Sequence, residues 1–362
     1  MVNIQSNQPL WSLSRLWSLF AALLLLGLAG FAGVAHAGYA AIVIDPATGE
    51  VISAVNADEQ NYPASLTKMM TLYMTFQALQ NGKLKVDQDL DVSTWAASRA
   101  PTKLGLRAGQ TVSVNDCILG MVTKSANDAA SVIAESLGGD EGHFAEMMTA
   151  QAALLGMNTT HFANASGLPD PNNTSTARDM AKLAIALYRD FPQYANYFAT
   201  KEFVFRGQLI RGHNNLMDRY PGMDGLKTGF TDASGFNLAS TAVRDGRRLF
   251  AVVLGGRSAG ARDRLMARLL DDGFDNQATP EMLVAQAGVS STTRRVLAAL
   301  SPIGTAEADE TAPAHRRASR GCTPHRGKTC PRVAKSHPKS STRLAHRKSK
   351  KVMLASSADK HD

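Results

Sequence analysis

Two strand-like runs near the start of this chain and three much further on enclose a long helical stretch, and this order limits the fold more than any other feature. Tyr39-Ala-Ala-Ile-Val-Ile-Asp45 and Val51-Ile-Ser-Ala-Val55 are β-rich and joined by Pro46-Ala-Thr-Gly49, a hairpin signal. Helical patterning then covers Leu66–Leu79, Ser113–Lys124, Ala129–Leu137, Phe144–Leu155 and Ala177–Tyr188. Ser113 with Asp116, and Thr176 with Asp179, supply helix-start signatures. Strand signals return at Gly225–Thr231, Gly235–Val243 and Leu249–Gly255, and an amphipathic helix follows at Arg262–Leu270. Strands separated by a helical block pair most simply in one antiparallel sheet assembled from both ends of the domain. The expected class is α+β: about five antiparallel strands flanked by helices, plus a helical subdomain. Past Phe274 the sequence offers one short helix, from Pro280 to about Leu300.

The ends differ from this body. Arg15 precedes the apolar run Leu16–Leu28, and Ala35-His36-Ala37 has the small residues of a cleavage site. Residues 1–37 therefore read as a signal peptide cut before Gly38, which places the protein in the periplasm or cell envelope. The formal charge of +8 resembles a nucleic-acid signal until its location is considered. From His315 to Lys351 the chain carries many Lys and Arg and no acidic residue, which leaves the remainder close to neutral. A Pro/Ser/Lys/Arg tract without apolar periodicity reads as a disordered basic tail. In an exported protein its partners would be anionic envelope polymers or lipid headgroups, not nucleic acid. Of the three cysteines, Cys117 lies in an apolar helical stretch and reads as a buried small hydrophobe, while Cys322 and Cys330 could pair in an oxidising compartment. Zinc-ligand spacing is absent. The expected domains are 1–37 signal peptide, 38–278 enzyme domain and 279–362 linker and tail.

Three short motifs carry chemistry. Ser65-Leu-Thr-Lys68 follows Tyr62-Pro-Ala64, at a predicted helix start. Positions i and i+3 share a helical face, so the Lys68 amine stands beside the Ser65 hydroxyl and can take its proton. The same spacing recurs at Ser336–Lys339 and Ser357–Lys360, in the low-complexity tail, so the motif alone is not diagnostic. Ser125-Ala-Asn127 falls between two predicted helices, where a turn can aim a hydroxyl and a carboxamide at one place; a helix cap is the alternative. Lys227-Thr-Gly229 occurs once, in a strand-like run. There Lys227 and Thr228 can bind a carboxylate, and Gly229 lets a peptide approach the backbone.

In this order the trio resembles that of penicillin-recognising serine enzymes. The chain is similar, over roughly residues 38–274, to the D-alanyl-D-alanine carboxypeptidase family of low-molecular-mass penicillin-binding proteins, with their β-lactamase/transpeptidase-like fold. Tyr62–Met70, Lys124–Ala130, Asn164-Ala-Ser-Gly-Leu168, Ser175–Met180 and Pro221–Thr231 carry the resemblance. It implies that Ser65 is the acylated nucleophile, Lys68 its base, Ser125 a proton relay and Asn127 a substrate-amide ligand. Lys227 and Thr228 would hold the terminal carboxylate, with Arg262 assisting, and the N–H groups of Ser65 and Phe230 would form the oxyanion hole. The substrates would be peptidoglycan stem peptides, the inhibitors β-lactams, and no metal or organic cofactor is called for.

Many family members carry a β-rich second domain and a C-terminal amphipathic helix, whereas here a basic tail takes that place. Membrane attachment is left open, as is D,D-endopeptidase action on cross-links. A β-lactamase of class A would need a Glu about 40 residues beyond the second motif, and none occurs between Glu146 and Glu202. A non-catalytic peptidoglycan-binding protein would not require a Lys-activated Ser. Deleting residues 315–351 is expected to abolish salt-sensitive sedimentation with anionic vesicles, and sedimentation equal to that of the full chain would remove the tail's proposed role.

Overall fold

A computed structural model describes residues 39–288. The expected signal peptide, Cys322 and Cys330, the basic tail and the second half of the helix expected at 280–300 lie outside them. The frame is a five-stranded antiparallel sheet of order β2-β1-β9-β8-β7, formed by β1 (Ala40–Ile44), β2 (Val51–Val55), β7 (Met223–Thr231), β8 (Gly235–Arg244) and β9 (Arg247–Gly256). The first hairpin joins the last three strands by pairing β1 with β9, Ala40 opposite Leu254 and Ile44 opposite Phe250. The α+β sheet expected from the sequence is present.

Both faces of this sheet are covered. Along β1, Ala40, Ile42 and Ile44 enter one core while Ala41 and Val43 enter the other. Strand β9 divides in the same way, with Phe250, Val252 and Leu254 on the first side and Leu249, Ala251 and Val253 on the second. A strand has period two, so two buried faces require a continuous apolar run instead of alternation. The runs at 40–44 and 249–254 meet that requirement.

The helical block packs on the first face. Its centre is α1 (Lys68–Gln80), in which every residue except Gln77 and Gln80 is buried. A helix buried all round needs no polar stripe. Its buried threonines are both bonded, Thr75 Oγ1 donating within the helix to Thr71 O and Thr71 Oγ1 across to Ala165 O. Around α1 lie α3 (Val114–Val122), α4 (Asn127–Gly138), α5 (Glu141–Leu154) and α6 (Ala177–Asp190), while α2 (Thr94–Ser98) is a short turn near α4. Ser113 accepts from Asp116 N and Thr176 from Asp179 N, as their helix-start signatures predict. Helix α5 begins earlier than its apolar pattern because Asp140 caps it, accepting from His143 N. Cys117 of α3 is fully buried and unpaired, and burial pushes its thiol far up.

On the second face, α7 (Ala259–Phe274) lays down Leu265, Met266, Leu269 and Leu270. Helix α8 (Glu281–Ala287) adds Val284 and Ala287 to the same core, so packing continues past residue 278. Elements that the sequence did not signal are two small hairpins, β3 (Asp89–Asp91) with β4 (Thr111–Ser113) and β5 (Glu202–Phe205) with β6 (Gln208–Arg211), and a 3₁₀ segment, Pro192–Ala199. The hairpins are short and half-exposed, and their pattern is too brief to read. Among the described residues no helix is long and apolar enough to cross a membrane.

The 3₁₀ segment closes the block with an aromatic cluster. Phe76 stacks on Tyr194 at 4.9 Å and meets Phe191 and Phe198 edge-on. Truncating a fully buried aromatic costs about 3–5 kcal/mol. Phe76→Ala should therefore lower the thermal midpoint by roughly 6–20 °C in a melting experiment, given about 2–4 °C per kcal/mol at this size. A shift of a degree or two would show that the cluster is not well packed.

Candidate active site

The site is built where the end of α1 meets the edge of the sheet. Ala64 adopts a left-handed backbone, φ 49°, and starts a 3₁₀ turn, Ala64–Thr67, that runs into α1. Such a conformation costs a non-glycine residue on the order of 1 kcal/mol or more, so its surroundings must impose it. Two groups do so. Asn237 of β8 donates from Nδ2 to the carbonyls of Tyr62 and Pro63 at 2.9 and 3.1 Å, while its Oδ1 accepts from Gly255 N. From the other side comes the loop at 164–168, where Gly167 has φ 78° and a Cβ would lie 1.8 Å from Ala64 O. No other residue fits there.

Ser65 is 5% exposed, and Lys68, the first residue of α1, is fully buried. The Lys68 Nζ contacts Ser65 Oγ at 3.0 Å, Asn127 Oδ1 at 2.7 Å and the Ser166 carbonyl at 2.6 Å. Asn127 Oδ1 and the carbonyl can only accept, whereas the Ser65 hydroxyl can also donate. Lys68 therefore donates to Asn127 Oδ1 and the Ser166 carbonyl and stands within hydrogen-bond reach of the Ser65 hydroxyl, the one of these three partners that has a proton to give. The geometry aims this amine at the proton of one hydroxyl.

The Ser125 turn is the second component. Ser125 also has a left-handed backbone, φ 58°, and Asn127 opens α4, so the connection is a turn, as the spacing requires. Three contacts hold it against the loop at 100–106. Asn127 Nδ2 donates to Ala100 O, Asn127 N to Thr102 O, and Thr102 Oγ1 to Ser125 O. Buried Asp128 completes the clamp by accepting from the N–H groups of Leu104, Gly105 and Leu106. Ser125 Oγ is buried and makes no hydrogen bond to the described residues.

The third component is the outer strand of the sheet. In β7, Lys227 pairs with Ala239, Thr228 with Leu238, Gly229 with Asn237 and Phe230 with Phe236. Lys227 and Thr228 are buried, and Lys227 Nζ donates to Thr228 O at 2.7 Å. Gly229 faces the Ser65 turn, since a Cβ there would lie 3.1 Å from both Ser65 N and Pro63 O. The beginning of β7 is propped by Arg248, which bonds both carboxylate oxygens of Asp224 and lies over the Tyr188 ring. Burial pushes the Tyr188 hydroxyl far above its usual range.

Lys68, Ser65 and Asn127 thus come together, with the Ser125 turn and the Gly229 stretch of β7 beside them. Arg262 is placed differently. It is 1% exposed, donates to Asn237 O and pairs with Asp263, so these bonds tie it to the strand behind β7. Sequence reasoning gave no role to Ser166, Gly167 or Asp128, although they lie in stretches that carry the resemblance, and did not single out Asn237. Ser166 acts through its carbonyl, which has no sequence signature. Asn164 shapes its loop by accepting from Ser166 N and Gly167 N, and an Asn followed three residues later by Gly is a readable turn signal. Asn237 was readable as a lone carboxamide inside an apolar strand.

The fold is that of the penicillin-binding proteins among solved structures. Penicillin binding protein 6B from Escherichia coli matches with a TM-score of 0.62 at 34% identity, over 66% of this chain and 77% of that one. Penicillin-Binding Protein D2 from Listeria monocytogenes, solved in its ampicillin-bound form, matches with a TM-score of 0.58 at 33% identity, over 66% of this chain and 98% of that one. A family model described as D-alanyl-D-alanine carboxypeptidase matches residues 31–258, and the chain belongs to that family. The D-alanyl-D-alanine carboxypeptidase DacD of Escherichia coli is 36% identical over 68% of this chain and 66% of its own length. DacA of the same organism is 37% identical over 64% of this chain and 60% of its own. The chain thus spans just under two thirds of the length of these relatives.

Gly229→Ala should separate geometry from stability. The added methyl presses on the turn that carries Ser65, and small misplacements of reacting groups cost rate steeply. Acylation by a labelled penicillin should slow by about tenfold or more while the melting temperature moves by only a few degrees. An unchanged acylation rate would show that the Gly229 contact does not set the position of Ser65.

Proposed function

We propose that this protein is a serine-type D-Ala-D-Ala carboxypeptidase acting on peptidoglycan stem peptides in the periplasm or cell envelope, through residues 39–288. One observation carries the reading: a buried lysine amine 3.0 Å from the Ser65 hydroxyl, which also donates to Asn127 Oδ1 and the Ser166 carbonyl. A serine so placed is an activated nucleophile.

In the proposed reaction Ser65 Oγ attacks the carbonyl of the penultimate D-Ala as Lys68 takes its proton. The backbone N–H groups of Ser65 and Phe230 stabilise the oxyanion. Ser125 relays the proton to the leaving amine, and Asn127 holds the substrate amide. Lys227 and Thr228 receive the terminal carboxylate, with Gly229 allowing the close approach. Arg262 assists in recognising that carboxylate and, from the same position, also bonds Asn237 O of β8. Water then hydrolyses the acyl-enzyme. A β-lactam would acylate the same serine, in keeping with the family and with the ampicillin-bound relative.

Release of a penicilloyl group should be slow. Buried Glu141 is occupied by Ala165 N, Trp95 Nε1 and Ser131 Oγ, and Glu does not recur before position 146 or between 146 and 202. These facts support a peptidase over a β-lactamase.

The protein should be treated with a labelled penicillin, a pentapeptide ending in D-Ala-D-Ala and a cross-linked muropeptide dimer, and adducts located by mass spectrometry. The expected outcome is a long-lived adduct on Ser65, none in Ser65→Ala, and acylation slowed about 10²–10⁴-fold in Lys68→Met. Release of D-Ala from the pentapeptide is expected to exceed cleavage of the dimer. An adduct on another residue, or undiminished acylation in Ser65→Ala, would overturn the mechanism. Preferred cleavage of the dimer would make the protein an endopeptidase.

A further inference from the structure

Glu141, at the start of α5, is 7% exposed and belongs to none of the three motifs. A carboxylate so buried must have its oxygens met by donors. Oε1 accepts from Ala165 N at 3.2 Å, while Oε2 accepts from Trp95 Nε1 at 2.7 Å and from Ser131 Oγ at 3.0 Å. Arg99 Nη1 stands 3.8 Å from Oε2, with its guanidinium over the Trp95 ring. The donors come from three separate places: the loop at 164–168, helix α4, and α2 with the residue that ends it.

Each of these places also lies directly behind an acceptor of the Lys68 amine. Ala165 precedes Ser166, whose carbonyl accepts from Lys68, and the carbonyl of Ala165 itself accepts from Thr71 of α1. Ala165 is thus fixed through both its N–H and its C=O. Ser131 lies one turn along α4 from Asn127, whose Oδ1 is the second acceptor. Arg99 precedes Ala100, whose carbonyl receives Asn127 Nδ2. One carboxylate therefore joins the backbones that carry both acceptors.

We infer that Glu141 is a positioning residue for Lys68: by holding Ala165 on one oxygen and Trp95, Ser131 and Arg99 on the other, it sets the Ser166 carbonyl and the Asn127 carboxamide at the separation that leaves the amine facing Ser65. The inference rests on the reading of Lys68 as the base of Ser65 and adds to it a residue that acts through that base. Glutamine is an exacting substitute here. It keeps the shape of Glu141 but has a single oxygen, so its NH₂ must confront an N–H donor at one end or the other.

The test follows acylation of Ser65 by a labelled penicillin over a range of concentrations, which separates the saturating rate from the half-saturating concentration. In Glu141→Gln the saturating rate should fall by about tenfold or more while the half-saturating concentration stays within about threefold, because a displaced base costs rate and not binding. The informative comparison is the same substitution made in Lys68→Met. Effects of independent residues multiply, whereas a residue that acts through another has nothing left to do once that other is gone. Glu141→Gln should therefore change the residual acylation of Lys68→Met by no more than about twofold. Trp95→Phe, at an exposed position, removes the 2.7 Å donor and leaves the carboxylate in place. It should slow the saturating rate by about threefold, again only where Lys68 is present, and it reads the same link should Glu141→Gln fail to fold. An unchanged saturating rate in either folded variant, or an equal loss with and without Lys68, would overturn the positioning role. A Lys68→Met protein acylated as fast as the unmodified one, or the absence of an adduct on Ser65, would instead remove the reading on which the inference stands.

Discussion

The burial of one amine governs this structure. Removing a lysine headgroup from water is costly unless its hydrogen-bonding capacity is met. Lys68 meets it with contacts drawn from three segments, 3, 59 and 98 residues away in sequence. Each of those segments must be held by something else. The Ser65 turn is held by Asn237 and the close approach of Gly167, Asn127 by the loop at 100–106, and Ser166 by the side chain of Asn164. The helical block, the sheet and two loops are all committed to the surroundings of a single nitrogen atom.

The same arrangement explains why strain collects where it does. Ala64 and Ser125 both hold left-handed backbones, and both adjoin or carry a proposed reacting group. Left-handed backbone at a residue other than Gly costs stability, and it persists only when neighbouring structure over-determines it. At Ala64 the over-determination is visible as two carbonyls fixed by one carboxamide. At Ser125 it is visible as Thr102 bonded to its carbonyl and Asp128 gripping three successive amides of the facing loop.

Much of this was legible in the sequence because it rests on short-range chemistry. The apolar runs at 40–44 and 249–254, the capping pairs at Ser113 and Thr176, the helical i, i+3 placement of Ser65 and Lys68 and the Lys-Thr-Gly strand are local patterns with one plain physical meaning. What stayed hidden is long-range or made of backbone. The Ser166 carbonyl leaves no mark on residue identity, and Asp128 matters only because a loop two dozen residues earlier folds back on it. Arg262 was legible in part: a basic residue just past the last strand reads as a substrate ligand, and the structure adds its bonds to Asn237 O and Asp263, which no sequence pattern announces.

The distances along the chain between these partners have a temporal meaning. Contacts between residues far apart in sequence form slowly, because the intervening chain must first surrender its freedom. The serine and its lysine lie within one turn and meet as soon as α1 forms, but Asn237 reaches Tyr62 across 175 residues, when the last strands join the first hairpin. A chain still collapsing therefore has Ser65 and Lys68 side by side without the turn that aims them, and the proposed reactivity waits until the two ends of the domain have found each other.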